Sequence, residues 1–482
     1  MVTTNYELFC DDLDEYADFD KLTGILNELD LSTTVYEIDR HRKFTGRQDW
    51  PIEAMLRSLI AMKVFQYKST SGFLRELARN PSLMILSGFD LKRNKVVSLD
   101  ELKHDPVRQN YRIPSDSAMS RFQQTLVEVD KNTGCLKDLF KAQLEKIQAQ
   151  LPEFGQRIGY DGKAIESHST GRQLKHKEKD KKTGKHPTSD PTASWGVHEQ
   201  YVTGPNGKEK KIKNRWYGFE LHLLADVNYE LPISFSLAPA HESEVPHCRK
   251  LVSTFLDESD IAERTLSFVA DRGLDDNLLR KTVYEKGILP VIDNRNLWRD
   301  DNPHPDQLEL PTRALYDDAD ETILYNEHGQ HFCRCPKSGE IRPMYYQGRE
   351  AVRGTVKWIC PASAYGITCQ GRQACYKAAG LEADASTRVV RDKIDMDHLR
   401  NHGPLPLGTY KWKRIYNQRS AIERINSRID ANFQTHDHFI RGIHAMRMHL
   451  SLGFTVMLAG ACMAIKAGRP EKMRCLATSL AA

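Results

Sequence analysis

Residues 157–295 alternate short apolar runs typical of strands with amphipathic runs typical of helices. The segment RIGYDG predicts a short strand that ends at Asp161, and residues 216–240 predict two strands joined by a turn at Asn228. Residues 266–295 predict a strand, a loop, a helix and a further strand. Three strands, a helix and then alternating strand and helix indicate an α/β core around a mixed sheet.

The regions on either side of this core have different patterns. Residues 1–150 predict several short helices with interspersed arginines, which suit either a DNA-binding and dimerisation domain or a plain helical bundle. Residues 301–405 are irregular and hold five of the ten cysteines. A helical pattern returns near the end of the chain. We therefore expect a helical domain at 1–150, the first part of the core at 151–300, an insertion domain at 301–405 and C-terminal core helices at 406–482.

The positive charge is concentrated near the C-terminus. The whole chain carries a formal net charge of only +4, which by itself indicates no class of partner. Residues 406–482, however, hold 12 Lys+Arg and 4 Asp+Glu, which favours an acidic partner there. Residues 171–187 hold seven Lys+Arg and two acids, and predict either a solvated loop or a phosphate contact.

Neither a secretory signal nor a membrane span is expected. The first residues are acidic and lack a basic stretch followed by an apolar run. The longest uncharged apolar segment, residues 450–465, has 16 residues, fewer than the roughly 18–20 that span a bilayer. This segment predicts a buried helix. In an intracellular chain the ten cysteines are expected to be thiols or metal ligands rather than disulfides.

Two predicted strands end in an aspartate that lies just before a glycine: Asp161 in IGYDG and Asp271 in FVADRG. A carboxylate at the C-terminal end of a strand is well placed for an active site in an α/β sheet, and a glycine lets substrate approach closely. Either aspartate alone is more typical of a turn or a helix cap. Asp226 is a rival candidate, but ADVNYELP favours a hairpin turn.

The segment YNQRSAIERINSR, residues 416–428, supplies a third carboxylate. Tyr416, Arg419 and Glu423 lie at positions i, i+3 and i+7, which is one face of a helix. The simplest interpretation is an Arg419–Glu423 pair worth a few tenths of a kcal/mol. The alternative is that Glu423 joins the two aspartates to hold two divalent cations, whose oxygen ligands and open positions suit phosphodiester chemistry.

The ordered set YDG, ADRG and YNQRSAIERINSR resembles the three catalytic blocks of the DDE transposases of bacterial insertion sequences, which have an RNase H-like catalytic domain. The last block is similar to the Y-x2-R-x3-E-x6-K pattern of the group with a long insertion before the glutamate. Tyr416, Arg419 and Glu423 match this pattern, whereas Asp430 stands at the lysine position. Residues 45–83 also resemble the helical N-terminal region of these proteins.

This resemblance implies that Asp161, Asp271 and Glu423 bind two Mg²⁺ ions, for which Mn²⁺ would substitute. A metal-activated water would hydrolyse one phosphodiester at each transposon end, and the freed 3′-OH would attack target DNA. The implied partners are double-stranded DNA and a second copy of the chain, with no membrane, in a bacterial cytoplasm next to the nucleoid. The 152 residues between Asp271 and Glu423 would accommodate the insertion domain.

The resemblance also implies DNA contacts around Glu423. In the family the lysine of the pattern holds DNA, and Arg424 or Arg428 are candidates to replace it. We expect the following residues to contact DNA: Lys411, Lys413, Arg414, Tyr416, Arg419, Arg424 and Arg428. Two alternatives stay open, namely a nuclease or junction resolvase of related fold without strand transfer, and a catalytically silent DNA-binding protein.

The cysteines of the insertion predict a possible structural zinc site. Four thiolates bind zinc tetrahedrally, and related transposases carry a cysteine-rich insertion of similar appearance. The expected ligands are Cys335, Cys360, Cys369 and Cys375. No CxxC pair occurs among them, so a set of reduced, partly buried thiols is the alternative.

Overall fold

The computed structural model describes most of the chain, and every structural statement below concerns the part that it describes. The described residues are 17–41, 50–89, 113–169, 171, 188–203, 209–298, 310–316, 321–382 and 387–476. Apart from Gly171, the basic segment 171–187 lies outside them.

The N-terminal region is helical, as its amphipathic pattern predicts. Serines at the starts of two helices cap them, since Ser69 accepts a hydrogen bond from the backbone N–H of Gly72 and Ser115 from that of Ala118. The helices among the described residues of this region are α1 (Ala17–Glu28), α2 (Ser32–His41), α3 (Ile52–Val64), α4 (Thr70–Arg79), α5 (Pro81–Leu86), α6 (Asp116–Thr133) and α7 (Cys135–Gln150).

A six-stranded mixed sheet follows, with α8 (Glu244–Glu258) and α9 (Asn277–Glu285) between its later strands. Its strands are β1 (Arg157–Glu166), β2 (Ser194–Thr203), β3 (Glu209–Asp226), β4 (Leu231–Pro239), β5 (Ser267–Ala270) and β6 (Leu289–Ile292). The order is β2-β3-β1-β5-β6, and β4 pairs with β3. Strands β1 to β4 pair antiparallel, whereas β1, β5 and β6 pair parallel.

The sheet differs from the sequence-based expectation in two places. Strand β1 does not end at Asp161 but continues to Glu166, because it pairs residue by residue with β3 as far as Gly218. Strand β2 was not predicted, and it pairs with the first half of the long strand β3. The predicted hairpin is confirmed, since its turn lies between Asp226 and Leu231.

Residues 310–400 hold two small sheets, which account for the irregular pattern of the insertion. The elements of this region are β7 (Thr312–Ala314), β8 (Ile323–Asn326), β9 (His331–Arg334), β10 (Ile341–Pro343), β11 (Tyr345–Glu350), β12 (Thr355–Ile359), α10 (Pro361–Tyr365), α11 (Arg372–Ala378) and β13 (Val389–Lys393). One sheet has the strand order β10-β9-β8-β7 and the other β11-β12-β13.

Three helices complete the chain: α12 (Tyr410–Tyr416), α13 (Ser420–Phe433) and α14 (Ile443–Lys466). Helix α13 lies on β1, and α14 packs between β4 and the N-terminal helices α1, α3, α6 and α7. Among the described helices, α14 has the length and hydropathy of a membrane span, but most of it is buried inside the fold. The mixed sheet with its flanking helices is the α/β, RNase H-like core that the sequence predicts.

Candidate active site

Parallel pairing of β1 with β5 brings the two predicted aspartates to the same part of the sheet. Gly159 lies opposite Val269, so Asp161 and Asp271, two residues further along each strand, lie at neighbouring positions. Burial, with the nearby charge of Asp271, raises the pKa of Asp161 to about 6. Asp271 directly follows β5, and its Oδ1 accepts a hydrogen bond of 2.8 Å from the N–H of Gly273.

Helix α13 brings Glu423 to these aspartates. Asn426, on the same helix face, donates a hydrogen bond of 2.8 Å from Nδ2 to Oδ2 of Asp161. The Glu423 carboxylate also raises the pKa of Asp161, so Glu423 and Asp271 both lie within electrostatic reach of Asp161. Glu423 is half exposed and pairs with Arg419 at 2.5 Å, and Arg419 in turn lowers the pKa of Asp161. The predicted Arg419–Glu423 pair is present, and it lies near the carboxylate of Asp161.

Close packing of α13 on β1 depends on Gly159. A Cβ atom at this position would lie 2.3 Å from Cδ1 of Ile422 and 2.9 Å from Cγ1 of Val227. A side chain at this position would have to displace Ile422 and Val227, so the glycine allows the helix that carries Glu423 to lie close to the strand that carries Asp161.

Tyr416 and Arg419 face the same site, although the chain between them changes from an α-helix to a 3-10 turn. Burial raises the pKa of Tyr416, and the charges of Asp293 and Asp271 add to the shift. The Tyr416 ring stacks on Trp412 at 4.4 Å between centroids. Trp412 is buried against the strands and is therefore a core residue.

The rival Asp226 forms a turn, as the hairpin interpretation predicted. Its Oδ1 accepts hydrogen bonds from the N–H groups of Asn228 and Tyr229, and its Oδ2 accepts one from Gly155. The side chain is fully buried and lies away from the carboxylate cluster. Its acceptor capacity is used by the backbone.

Two further acidic residues, Glu220 and Glu244, lie near these carboxylates, and no sequence signal predicts them. Glu244 is the first residue of α8 and Glu220 lies on β3. A Cβ atom on Gly162 would be 2.5 Å from Oε1 of Glu244 and 2.8 Å from Oε1 of Glu220. Burial, with the nearby charge of Asp161, raises the pKa of Glu220 to about 7. Burial is the main cause that raises the pKa of Glu244 to about 8, and the charges of Glu220, Asp271 and Asp161 add to the shift. No local pattern marks these two acids, because only the fold brings them together.

The basic residues predicted to contact DNA divide into two groups. Lys411, Lys413 and Arg414 are exposed on α12, the helix that ends at Tyr416. Arg424 and Arg428 instead donate hydrogen bonds to the buried Glu230, at 2.8 and 2.6 Å.

Arg424 is about half exposed, whereas only 19% of the Arg428 side chain is exposed. The Arg428 guanidinium is therefore held within the protein, and Arg424 keeps part of its surface for a ligand.

Asp430, at the lysine position of the pattern, is paired with a lysine from another element. Lys163 of β1 lies 2.6 Å from its Oδ2, and His436 lies 2.9 Å from the same atom. Lys163 is two residues beyond Asp161 on the same face of the strand. A lysine is thus present at this position in space, although it comes from a different part of the chain.

The cysteines of the insertion lie near one another in the fold. Burial raises the pKa of the Cys333 thiol to about 12, and Cys360, Cys375 and Cys369 add to the shift. Cys335 begins a turn in which Ser338 lowers the pKa of its thiol. A Cβ atom on Gly371, between Cys369 and Cys375 in the chain, would be 2.2 Å from the Sγ atom of Cys335, so the four predicted zinc ligands lie in this region together with Cys333.

The donor set of the carboxylate cluster fits a hard divalent cation. Asp161, Asp271 and Glu423 offer oxygen ligands only, and a cation among them would offset the repulsion that raises the pKa of Asp161. Within the described residues, no three His, Cys, Asp or Glu side chains stand close enough together to enclose a metal ion, and Glu423 is turned to Arg419. The cysteines of the insertion, as far as the structure describes them, likewise include no three that stand close enough together to enclose a metal ion.

Comparison with known proteins identifies the family. Residues 160–458 match the family described as Transposase DDE domain, and residues 9–101 match one described as Transposase domain (DUF772). A cryo-EM structure of a piggyBac transposase synaptic complex with hairpin DNA is 13% identical, with a TM-score of 0.34, and the match covers 97% of this chain and 80% of that one. No curated protein matches the chain. Because the first family covers more than half of the 482 residues and all three clustered carboxylates, the chain belongs to the DDE transposase family.

Proposed function

We propose that the protein is an insertion-sequence transposase that binds transposon-end DNA, hydrolyses a phosphodiester at each end and joins the freed 3′-OH to target DNA. The observation that carries this proposal is the convergence of Asp161, Asp271 and Glu423 from positions 110 and 152 residues apart in the chain. Carboxylates whose pKa is raised by burial and by neighbouring acids, as at Asp161, cluster at functional sites.

In the proposed mechanism Asp161, Asp271 and Glu423 would hold two Mg²⁺ ions, or Mn²⁺ ions in their place. When bound, such ions would supply positive charge that stabilises a phosphodiester during cleavage. Asn426 fixes the orientation of the Asp161 carboxylate through its hydrogen bond. Arg419 neutralises Glu423 and supplies a guanidinium fork that suits a phosphate.

The proposed DNA surface lies around α12 and the start of α13. The exposed Lys411, Lys413 and Arg414 would contact the phosphate backbone, and Tyr416 and Arg419 would contact DNA next to the cleaved bond. Arg424 contributes with its exposed part. We propose a homodimer that pairs two DNA ends, acting in the bacterial cytoplasm next to the nucleoid.

We also propose a structural zinc ion in the insertion domain, bound by Cys335, Cys360, Cys369 and Cys375, with Cys333 as a further candidate ligand. The support is that these thiols come from separate parts of the insertion to one region of the fold. Protein purified without chelator is expected to contain one zinc ion per chain. Replacing Cys360 with serine is expected to remove it, and serine at Cys335 or at Cys333 shows which of these two thiols is a ligand, whereas zinc-free wild-type protein would contradict the proposal.

A cleavage and joining assay tests the main proposal. DNA that carries the gene's own flanking repeats is incubated with the protein in Mg²⁺ and in EDTA. Metal-dependent nicking at the repeat ends followed by joining to a target supports the transposase. Nicking without joining would favour the nuclease alternative, and tight binding without either reaction would favour the silent DNA-binding protein.

A further inference from the structure

Three successive residues on one face of β1 each meet a residue of α13. Alternate residues of a strand share a face, so this row runs along the strand from Gly159. The pairs are Gly159 with Ile422, Asp161 with Asn426, and Lys163 with Asp430.

The spacing of these pairs shows that the helix lies along the strand in register. The four steps from Gly159 to Lys163 span about 13 Å of strand. The eight steps from Ile422 to Asp430 span about 12 Å of helix. A slip of α13 by one residue would shift Glu423 by about 1.5 Å and turn it by about 100°, away from Asp161.

Two of the three contacts are directional. The contact of Ile422 with Gly159 is apolar and tolerates small shifts, whereas the Asn426–Asp161 hydrogen bond of 2.8 Å and the Lys163–Asp430 ion pair of 2.6 Å do not. Only 10% of the Lys163 side chain and 24% of the Asp430 side chain are exposed. Loss of either partner would leave a charge with little access to water, so the pair strongly favours a single register.

Asp430 has contacts that hold it in place for this role. Thr435 donates a hydrogen bond to its Oδ1, and His436 lies 2.9 Å from its Oδ2. The carboxylate is thus fixed from the C-terminal end of α13 while Lys163 reaches it from the sheet. This arrangement ties the strand of Asp161 to the helix of Glu423 at a point seven residues beyond Glu423.

We propose that Lys163, Asn426 and Asp430 are positioning residues, which set the register of α13 on β1 and thereby hold Glu423 at a fixed place relative to Asp161. The proposal rests on the proposed role of these two carboxylates as metal ligands. It assigns Lys163 to the scaffold of the site and not to DNA.

The test compares Lys163→Met, Asp430→Asn and Asn426→Ala with wild-type protein. Calorimetric titration with Mn²⁺ in the absence of DNA is expected to show a 10–100-fold loss of affinity in each, as is typical when residues that orient metal ligands are removed. DNA affinity in EDTA is expected to change less than about twofold, since no DNA contact is lost. Lys163→Arg keeps the ion pair and is expected to retain most of the affinity for Mn²⁺.

A matched control and a double variant complete the design. Lys286→Met breaks a Lys–Asp pair of 3.1 Å at the surface, with Asp257, and is expected to bind Mn²⁺ as wild type does. Lys163→Met with Asp430→Asn is expected to be no worse than either single change, because both remove the same contact. Circular dichroism identifies any variant that fails to fold, and Asn426→Ala, which removes no charge, then carries the test.

Two results would overturn the proposal. If Lys163→Met weakens DNA binding in EDTA and leaves Mn²⁺ affinity unchanged, Lys163 contacts phosphate. If no variant alters Mn²⁺ affinity although wild-type protein binds the ion, the register is set elsewhere. Absence of Mn²⁺ binding by wild-type protein would instead count against the proposed metal site itself, so the two failures are distinguishable.

Discussion

Replacing Glu244 with glutamine is expected to stabilise the protein at pH 8. Burial and the neighbouring Glu220, Asp271 and Asp161 raise the pKa of Glu244 from 4.5 to about 8. The Glu244 carboxyl therefore loses its proton at a lower pH in the unfolded chain than in the folded protein. As a result, the free energy of unfolding falls as the pH rises from about 4.5 to 8. Glutamine has no charge to desolvate, so it removes this loss.

The magnitude follows from the size of the pKa shift. At about 1.4 kcal/mol per unit, ionisation of Glu244 costs the folded protein about 4 kcal/mol at pH 8 and less than about 1 kcal/mol at pH 5. Glutamine also loses the favourable interaction of a carboxylate with the N-terminus of α8, worth about 0.3–1 kcal/mol. Desolvation is the larger effect, so a net gain of about 2–3 kcal/mol is expected at pH 8.

Urea unfolding in EDTA at pH 5 and pH 8 measures this difference. Glu258→Gln is the matched control, because Glu258 ends the same helix with 62% of its side chain exposed. The control is expected to match wild type at both pH values, and Glu244→Gln to raise the unfolding midpoint at pH 8 only. A lower midpoint for Glu244→Gln at pH 8 would refute the reasoning, since it would mean that the folded protein needs the charged carboxylate.

Three further predictions address the packing and charge of the site. Burial raises the pKa of Asp161 to about 6, so protonation of its carboxylate competes with the cation below that pH. The affinity for Mn²⁺ is therefore expected to fall by up to about tenfold per pH unit below pH 6. An affinity that does not change between pH 5 and 6 would exclude Asp161 as a ligand. Asp226→Asn is expected to lower the free energy of unfolding by about 1–3 kcal/mol, measured in urea, and to leave Mn²⁺ affinity unchanged. Gly159→Ala is expected to weaken Mn²⁺ binding by displacing α13. Adding Ile422→Val, which removes the clashing Cδ1 atom, is expected to restore part of the affinity. Equal Mn²⁺ affinity of Gly159→Ala and wild-type protein would mean that the position of the helix is unimportant.

Much of the site could be predicted because its signals are local. The turn near Asn228 and the strand before Asp271 follow from signals in a few neighbouring residues. The single helix face predicted for Tyr416, Arg419 and Glu423 is only partly correct, because Tyr416 ends α12, Arg419 lies in a 3-10 turn and Glu423 lies in α13. The sequence predicts that the first strand ends at Asp161, before a glycine, where a turn is locally favoured. Pairing of β1 with β3 on one side overrides that local preference and carries the strand on to Glu166.

The features that escaped prediction depend on contacts between distant parts of the chain. Lys163 and Asp430 are 267 residues apart, and nothing near either residue marks the other. Glu220 and Glu244 meet only because Gly162 leaves space between β3 and α8. The approach of Cys333 to Cys360, Cys369 and Cys375 likewise depends on the fold, because these thiols come from separate parts of the insertion.

The most direct test of the central claim is to compare wild-type protein with Glu423→Gln in nicking DNA that carries the gene's terminal repeats. Glutamine keeps the size of the side chain and removes its charge, so folding and DNA affinity in EDTA are expected to persist while Mg²⁺-dependent nicking is lost. Nicking at the wild-type rate by Glu423→Gln would contradict the claim that Asp161, Asp271 and Glu423 form one catalytic site.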